Sequence, residues 1–139
     1  MPTASLTLTS ADIAGDPVNV TKTSTCYKAG SGSELLDQTG GLNKIILTSN
    51  SAMSILLGED DRGDGKAAKV YICNKSEVAD EFVTITLHGQ IMGKLYAGQF
   101  AFFPWSQVDD TADVIVTASA AGKSIPVEYM LMHEGWLYA

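Results

Sequence analysis

The segment Gly58–Lys66 is the most charged in the sequence and carries the carboxylates that could bind a metal ion. It reads GEDDRGDGK. Three positions of the calcium-binding EF-hand loop, the first, fifth and sixth, are matched by Asp60, Asp64 and Gly65. However, Arg62 takes the third ligand position, and Tyr71 takes the twelfth, which requires a bidentate glutamate. The EF-hand is therefore rejected, because a cation beside its own arginine is disfavoured.

Two other interpretations of the loop Glu59–Gly65 stay open beside that of a solvated tip. The carboxylates of Glu59, Asp60 and Asp61 could hold a cation in a looser arrangement. The tripeptide Arg62-Gly63-Asp64 also occurs in integrin ligands, but a three-residue match often arises by chance in a segment rich in glycine and aspartate. As a solvated tip, the loop would keep the surface soluble through its charge.

Residues for catalysis are present in the sequence, but no local signature groups them. A zinc site needs three or four ligands, and neither His88 nor His133 has a second histidine or a cysteine at ligand spacing, so both are predicted to be surface or edge residues. There is no GxSxG elbow for a nucleophilic serine. The glycines of residues 30–41 do not spell a phosphate-binding loop. We therefore expect no enzyme, no cofactor and no small-molecule substrate.

Length and charge restrict the class of protein further. The chain has 139 residues, enough for one domain with one core. Its net charge of −7, with scattered lysines and arginines, argues against nucleic acid as a partner. No secretory signal and no apolar run long enough for a bilayer is visible, so we expect synthesis in the cytoplasm and no membrane partner. Cys26 and Cys73 are predicted to be buried free thiols, and a disulfide between them is the alternative.

The elements expected to position these residues are β-strands. Thr, Ser, Val, Ile and Gly are frequent, which favours strands joined by turns. The clearest alternation of apolar and polar residues lies in Glu81–His88 and Ile125–His133. We expect an all-β chain, a single-domain β-sandwich or jelly-roll-like barrel of about eight or nine short antiparallel strands at residues 17–139. Residues 1–16 would form an extended N-terminal arm or edge strand.

Three segments are harder to interpret. Lys44–Thr48 and Met53–Leu57 are apolar runs separated by four small or polar residues, which predicts a hairpin, although a short helix over Ser51–Leu57 competes. Glu34–Gly41 could form one helical turn or an irregular crossing. Pro104 must end its strand or lie on an edge, because it donates no hydrogen bond.

The last strand and the aromatic residues indicate surface that needs covering. Ile125, Val127, Tyr129 and Leu131 form the inward row of that strand, and the other row includes Met130 and Met132. The outward side should therefore be covered by a second sheet or by a partner subunit. The aromatic residues could pack in the core, stack on sugars or contact a protein, and they are Phe100, Phe102, Phe103, Trp105 and Trp136.

The runs LYAGQFAFFPWSQ, ADVIVTASA and VEYMLMHEG resemble small head-associated virion proteins of tailed bacteriophages. Those proteins share a strand, a Leu-x-x-Gly-(Gln/Glu) turn, an aromatic-Pro stretch and a terminal Val-Glu-Tyr-Met-Leu strand. The upstream VYICNKS, with Asn74 after a strand, is also similar to this group. The resemblance covers about half of the chain, and its main positions here are Leu95, Gly98, Gln99, Phe102, Phe103, Pro104, Trp105, Val127, Glu128, Tyr129, Met130 and Leu131.

The resemblance implies a capsid decoration or cement protein on the virion exterior. Such proteins bind the major capsid protein, often as homo-oligomers, with a trimer favoured, and have no shared active site. The arm at residues 1–16 would then reach a neighbouring subunit. The residues expected to contact capsid or like subunits are Leu6, Leu8, Phe102, Phe103, Trp105, Met130, Met132 and Trp136.

Two alternatives remain beside this interpretation. A phage tail or neck component could use the same fold. A carbohydrate-binding, receptor-binding module would need Trp105, Trp136 or Tyr96 exposed on one concave face, with Asp109 and Asp110 nearby.

Overall fold

A computed structural model of the chain describes residues 2–11, 18–48, 50, 52–56, 67–105, 113–120 and 122–134. These residues form eleven β-strands, which confirms the all-β class. None of the described segments is a helix, and so none could cross a membrane as one. The strands are β1 Thr3–Ser10, β2 Val18–Thr25, β3 Gln38–Thr39, β4 Asn43–Leu47, β5 Met53–Leu56, β6 Ala68–Asn74, β7 Phe82–Leu87, β8 Gln90–Tyr96, β9 Phe100–Pro104, β10 Val114–Ala118 and β11 Ile125–His133.

Two antiparallel sheets enclose the core in a sandwich-like arrangement. The first sheet has the strand order β5-β10-β7-β8, and the second has the order β3-β11-β6-β9, with β4 also pairing with β11. Alternate residues of the facing strands are buried against one another, as the period of two predicted. The fully buried aliphatic side chains come from both sheets and are Val70, Ile72, Val83, Val114, Val116, Ile125 and Val127.

The predicted hairpin between β4 and β5 is wrong. Both strands exist, but β4 pairs with β11 in the second sheet and β5 pairs with β10 in the first. The chain therefore crosses from the second sheet to the first between β4 and β5. A short polar connection is compatible both with a hairpin and with such a crossover. The alternative helix over Ser51–Leu57 is also wrong, because Met53–Leu56 is a strand. Glu34–Gly41 forms no helical turn; it is an irregular crossing that includes β3.

The prediction for Pro104 is confirmed. Pro104 is the last residue of β9, and β9 is the edge strand next to β6. The prediction for the cysteines is confirmed too, since Cys26 and Cys73 are buried and free. His133 differs from the expected surface histidine: it is 6% exposed and its Nδ1 contacts the Glu134 carbonyl oxygen.

Asn74, at the end of β6, is a fully buried polar residue that links the two sheets. Its Nδ2 donates to the carbonyl oxygens of Leu95 at 2.9 Å and Glu81 at 3.2 Å, and its Oδ1 accepts from the Ser76 amide at 2.9 Å. Its carbonyl oxygen accepts from the Gly98 amide at 2.8 Å. Gly98 has φ of +78°, a conformation that favours glycine. One side chain thus holds the ends of β6 and β8 and the start of β7 together.

Substitution Asn74→Ala should lower the free energy of unfolding by about 3 to 5 kcal/mol, because it removes three buried hydrogen bonds to the main chain. Urea denaturation measures this difference. Asn19→Ala, at an exposed strand position, is the matched control and should change stability by less than about 0.5 kcal/mol. Equal effects of the two substitutions would contradict the linking role of Asn74.

Candidate functional site

The N-terminal arm is an amphipathic hairpin of β1 and β2. It therefore extends beyond residue 16 and includes Val18–Thr25, which was expected in the sandwich. Within the described residues, the two strands pair only with each other. The register puts hydroxyl-bearing residues on one face, including Ser5 and Thr23, whose hydroxyl oxygens lie 3.2 Å apart. The other face carries most of the apolar side chains, which are Ala4, Leu6, Leu8, Val18 and Val20.

Part of the apolar face of this hairpin is exposed in the structure as far as it is described. The side chains of Leu6 and Leu8 are 49% and 56% exposed. An isolated two-stranded hairpin is only marginally stable in water. The hairpin therefore offers apolar surface that a partner could bury.

Main-chain hydrogen bonds at the base of the hairpin join its two strand ends and link it to the segment before β3. The Cys26 amide donates to the Pro2 carbonyl oxygen at 2.9 Å, and the Cys26 carbonyl oxygen accepts from the Leu36 amide at 2.9 Å. The side chains of Cys26 and Leu36 are buried.

The carboxylate of Glu134 fixes the same region to the end of the second sheet. Its Oε2 accepts from the amides of Ala29 at 2.7 Å and Ala67 at 2.8 Å, and Glu134 is 7% exposed. Ala29 follows the hairpin, Ala67 precedes β6 and Glu134 follows β11. A single carboxylate oxygen thus holds three segments at one corner.

We expect Glu134→Ala to lower the free energy of unfolding by about 1 to 3 kcal/mol, because two part-buried amides lose their acceptor. Hydrogen exchange should accelerate most at Ala29 and Ala67. Glu134→Gln keeps an acceptor oxygen and should show a smaller effect at both amides. If Glu134→Ala left exchange at both sites unchanged, the carboxylate would not anchor this corner.

The outer face of the second sheet is largely apolar. Register places Met130, Tyr71 and Phe102 side by side across β11, β6 and β9. Phe100 lies opposite Cys73 in the next row. Phe100 and Phe102 are 61% and 41% exposed, although they belong to a sheet whose other face forms the core.

The hairpin and this outer face enclose a groove, which we call the outer groove, with a volume of about 880 Å³. The sheet contributes aromatic and methionine side chains, and the hairpin contributes Leu6 together with small and polar side chains. Its lining residues are Pro2, Thr3, Ala4, Ser5, Leu6, Lys22, Ser24, Tyr71, Phe100, Phe102, Met130 and Met132. The composition of the groove favours apolar contact with a partner over catalysis.

Tyr71 and Glu128 are polar groups within this apolar face. The Tyr71 hydroxyl donates to Glu128 Oε2 at 3.1 Å, and Glu128 is buried. Burial raises the pKa of Tyr71 well above its ordinary value, and the neighbouring Cys73 and Glu128 side chains raise it further. The phenol therefore stays neutral as a hydrogen-bond donor and does not act as a base.

This shift predicts a loss of stability at high pH. Since the pKa of Tyr71 is raised in the folded state, its contribution is fully present below the ordinary value of 10.0 and is lost as the pH rises above it. Tyr71→Phe should therefore make the fall in unfolding free energy above about pH 10 less steep. Urea denaturation at several pH values measures this slope. Tyr96→Phe, at an exposed position, is the control; an identical slope for wild type and Tyr71→Phe would refute the assignment.

The structure brings together five of the eight predicted contact residues on or beside the outer groove. Leu6, Phe102, Met130 and Met132 line it, and Leu8 lies further along the hairpin. Phe103 and Trp105 are instead buried in the core at 5% and 4% exposure, in agreement with the core interpretation of the aromatic residues and not with a contact role. Trp136 lies outside the described residues.

Sequence reasoning left Phe100 and Tyr71 out of the contact set. Alternation along β9 places Phe100 on the same face as Phe102, which is a signal available from sequence. Tyr71 joins them only because β6 pairs with β9, and strand order cannot be derived from alternation.

The described ranges hold neither a metal-binding cluster nor the residue set predicted for a sugar site on one face. They contain no cluster of three or more side chains that could hold a metal ion. The loop Glu59–Gly65, Asp109 and Asp110 lie outside them. Trp105 is buried and cannot stack on a sugar, and the exposed Tyr96 lies on β8 of the other sheet.

No protein-family model matches the chain, and no curated protein matches it significantly.

Proposed function

We propose that this protein is a structural virion protein of a tailed bacteriophage, a cement or decoration subunit that binds and stabilises the major capsid shell. The proposal combines the resemblance of the strand motifs to head-associated proteins with one structural observation. That observation is the exposed apolar surface formed by Leu6 and Leu8 of the hairpin with Phe100 and Phe102 of the edge strand. A monomer in water gains nothing from exposing these side chains together, whereas a partner surface would bury them.

In the proposed mechanism, the protein adheres to capsid subunits through the total area of its contacts. The sandwich supplies a stiff body, and the hairpin extends from it to reach a neighbouring capsid subunit. Each contact is weak, but several contacts made at once by an oligomer act at high effective concentration. The combined contacts would oppose separation of the capsid subunits. This role requires no catalytic group, cofactor or small-molecule substrate.

The chemistry of the surface favours protein over the other partner classes considered. Aromatic and methionine side chains are enriched in the buried centres of protein interfaces. Of the groove-lining side chains only Lys22 carries a positive charge, and the net charge of the chain is −7, which opposes phosphate binding. We therefore propose that the surface contacts capsid protein. The protein would be synthesised in the host cytoplasm and would bind the exterior of the capsid.

The double substitution Leu6→Ser/Leu8→Ser should weaken binding to phage heads that lack the protein by at least tenfold. Each leucine would bury apolar area on docking, at roughly 25 cal/mol per Å². Co-sedimentation of purified protein with expanded heads measures the affinity. Ile91→Ser is the matched control, since Ile91 is 74% exposed but lies on β8 of the first sheet.

Failure of the wild-type protein to bind either procapsids or expanded heads would contradict the cement role. Binding to purified tails or necks in place of heads would support the tail or neck alternative. Equal loss of head binding in the Ile91→Ser variant would show that the hairpin is not the specific contact.

A further inference from the structure

The outer edge of β1, on the side away from β2, lacks the features that protect strand edges from pairing with other chains. Within the described residues β1 pairs only with β2. The strand is eight residues long, reads TASLTLTS and contains no charged residue and no proline. Its pairing with β2 runs over all eight residues without a register shift. A long, regular and uncharged edge of this kind is a template for another strand.

The edge strands of the two sandwich sheets are protected in ways that β1 is not. β8 has a register shift against β7 and carries Lys94, and β9 ends on Pro104. β5 has four residues and a register shift against β10, and β3 has two residues. β4 has five residues and carries the exposed Lys44. Short strands, bulges, lysine and proline all hinder pairing between edges.

A hydrogen bond at the base of the hairpin shows which main-chain groups of β1 point to its outer edge. The Cys26 amide donates to the Pro2 carbonyl oxygen, and these two residues continue the register of β1 with β2. Hydrogen-bonded pairs alternate with non-hydrogen-bonded pairs along an antiparallel ladder. Thr7 and Thr21 face each other an odd number of positions further along, so theirs is a non-hydrogen-bonded pair. Their amides therefore point away from each other, to the outer edges of β1 and β2.

The outer edge of β1 is more accessible to a like strand than the outer edge of β2. Every residue from Ser5 to Thr9 is exposed. The chain that continues β2 already forms a bridge between Tyr27 and Leu35. Near the middle of β2 lies the exposed Lys22, so two β2 edges would bring like charges together. Two β1 edges carry no charge and meet without this repulsion.

We propose that β1 pairs with β1 of a second copy of the chain, antiparallel and about a twofold axis. The two hairpins then form one four-stranded sheet in the order β2-β1-β1-β2. A two-stranded hairpin alone is only marginally stable in water, and an apolar face on three or more strands is needed for independent stability. The contact consists of main-chain groups on the strand edge and is distinct from the outer groove, so it does not depend on the proposed capsid role.

The alternation of β1 is complementary to itself in this pairing. The outward-pointing amides belong to odd-numbered residues, so odd-numbered residues of one copy lie opposite odd-numbered residues of the other. Ser5 and Thr7 therefore face hydroxyl-bearing residues, and Leu6 and Leu8 share a face with the same leucines of the second copy. The four-stranded sheet keeps one hydroxyl face and one mainly apolar face. A twofold contact of this kind gives a dimer, whereas the resemblance to virion proteins favours a trimer.

Proline substitutions at two facing positions test the pairing. Thr7→Pro removes an amide hydrogen at the outer edge of β1 and keeps the bonds to β2, because proline is tolerated where an edge N–H faces solvent. By sedimentation velocity, wild type should be a dimer and Thr7→Pro a monomer. The matched control is Thr21→Pro, which removes the corresponding amide hydrogen on β2 and should remain a dimer. Thermal melts followed by circular dichroism show whether both variants fold.

Hydrogen exchange tests the same edge without a substitution and replaces the proline variants if either does not fold. In the dimer the amides of Ser5 and Thr7 are hydrogen-bonded across the twofold axis. Their exchange in wild type should therefore slow as the protein concentration rises and the dimer forms. The amides of Thr21 and Thr23, at the outer edge of β2, should exchange at a rate that is independent of concentration.

A wild-type monomer or trimer, or a Thr7→Pro variant that stays dimeric, would overturn the inference. So would equal loss of the dimer in both proline variants, or protection of Thr21 in place of Thr7. Head binding is a separate measurement. A dimer paired through β1 that binds no heads would refute the cement role alone, and a wild-type monomer that binds heads would refute the pairing alone.

Discussion

The hydrogen bonds of Asn74 are the constraint on which the sandwich depends. A buried amide is stabilising only when its donors and acceptors are satisfied, and those of Asn74 reach the main chain of Glu81, Leu95 and Ser76. These partners lie where β6 ends, β7 begins and β8 ends, so Asn74 ties the second sheet to two strands of the first. The buried valines and isoleucines supply the driving force, but they are not directional. The hydrogen bonds of Asn74, in contrast, are directional.

The hydrogen bonds of the Glu134 carboxylate constrain the surface of the protein in a similar way. They fix the segment after the hairpin to the second sheet and thereby oppose Leu6 to Met130 and Phe102 across the groove. Apolar side chains exposed on an edge strand are a liability for a monomer. Here they adjoin an amphipathic hairpin. The liability is consistent with an adhesive protein whose surfaces are completed by neighbours.

Particular residues show how far sequence reasoning reached. Val83 and Ile85, or Val127 and Leu131, are inward because alternation forces them to one face. Phe103 and Trp105 were open to three interpretations, and neighbouring strands decided that both are buried. The hairpin expected between β4 and β5 was wrong because a short polar connection carries no information on which sheet receives the next strand. His133 was expected at the surface, but the packing around the end of β11 buries it.

The sequence by itself determined the all-β class, the faces of the long strands, the edge position of Pro104 and the buried free thiols, because each depends on local periodicity or on the chemistry of one residue. Only the tertiary structure decided that β6 lies between β9 and β11, which aligns Met130, Tyr71 and Phe102. It also decided that residues 18–25 leave the sandwich to pair with the arm. The physical reason is that strand order and sheet membership depend on contacts between segments distant in sequence, and alternation is the same whichever neighbour a strand takes.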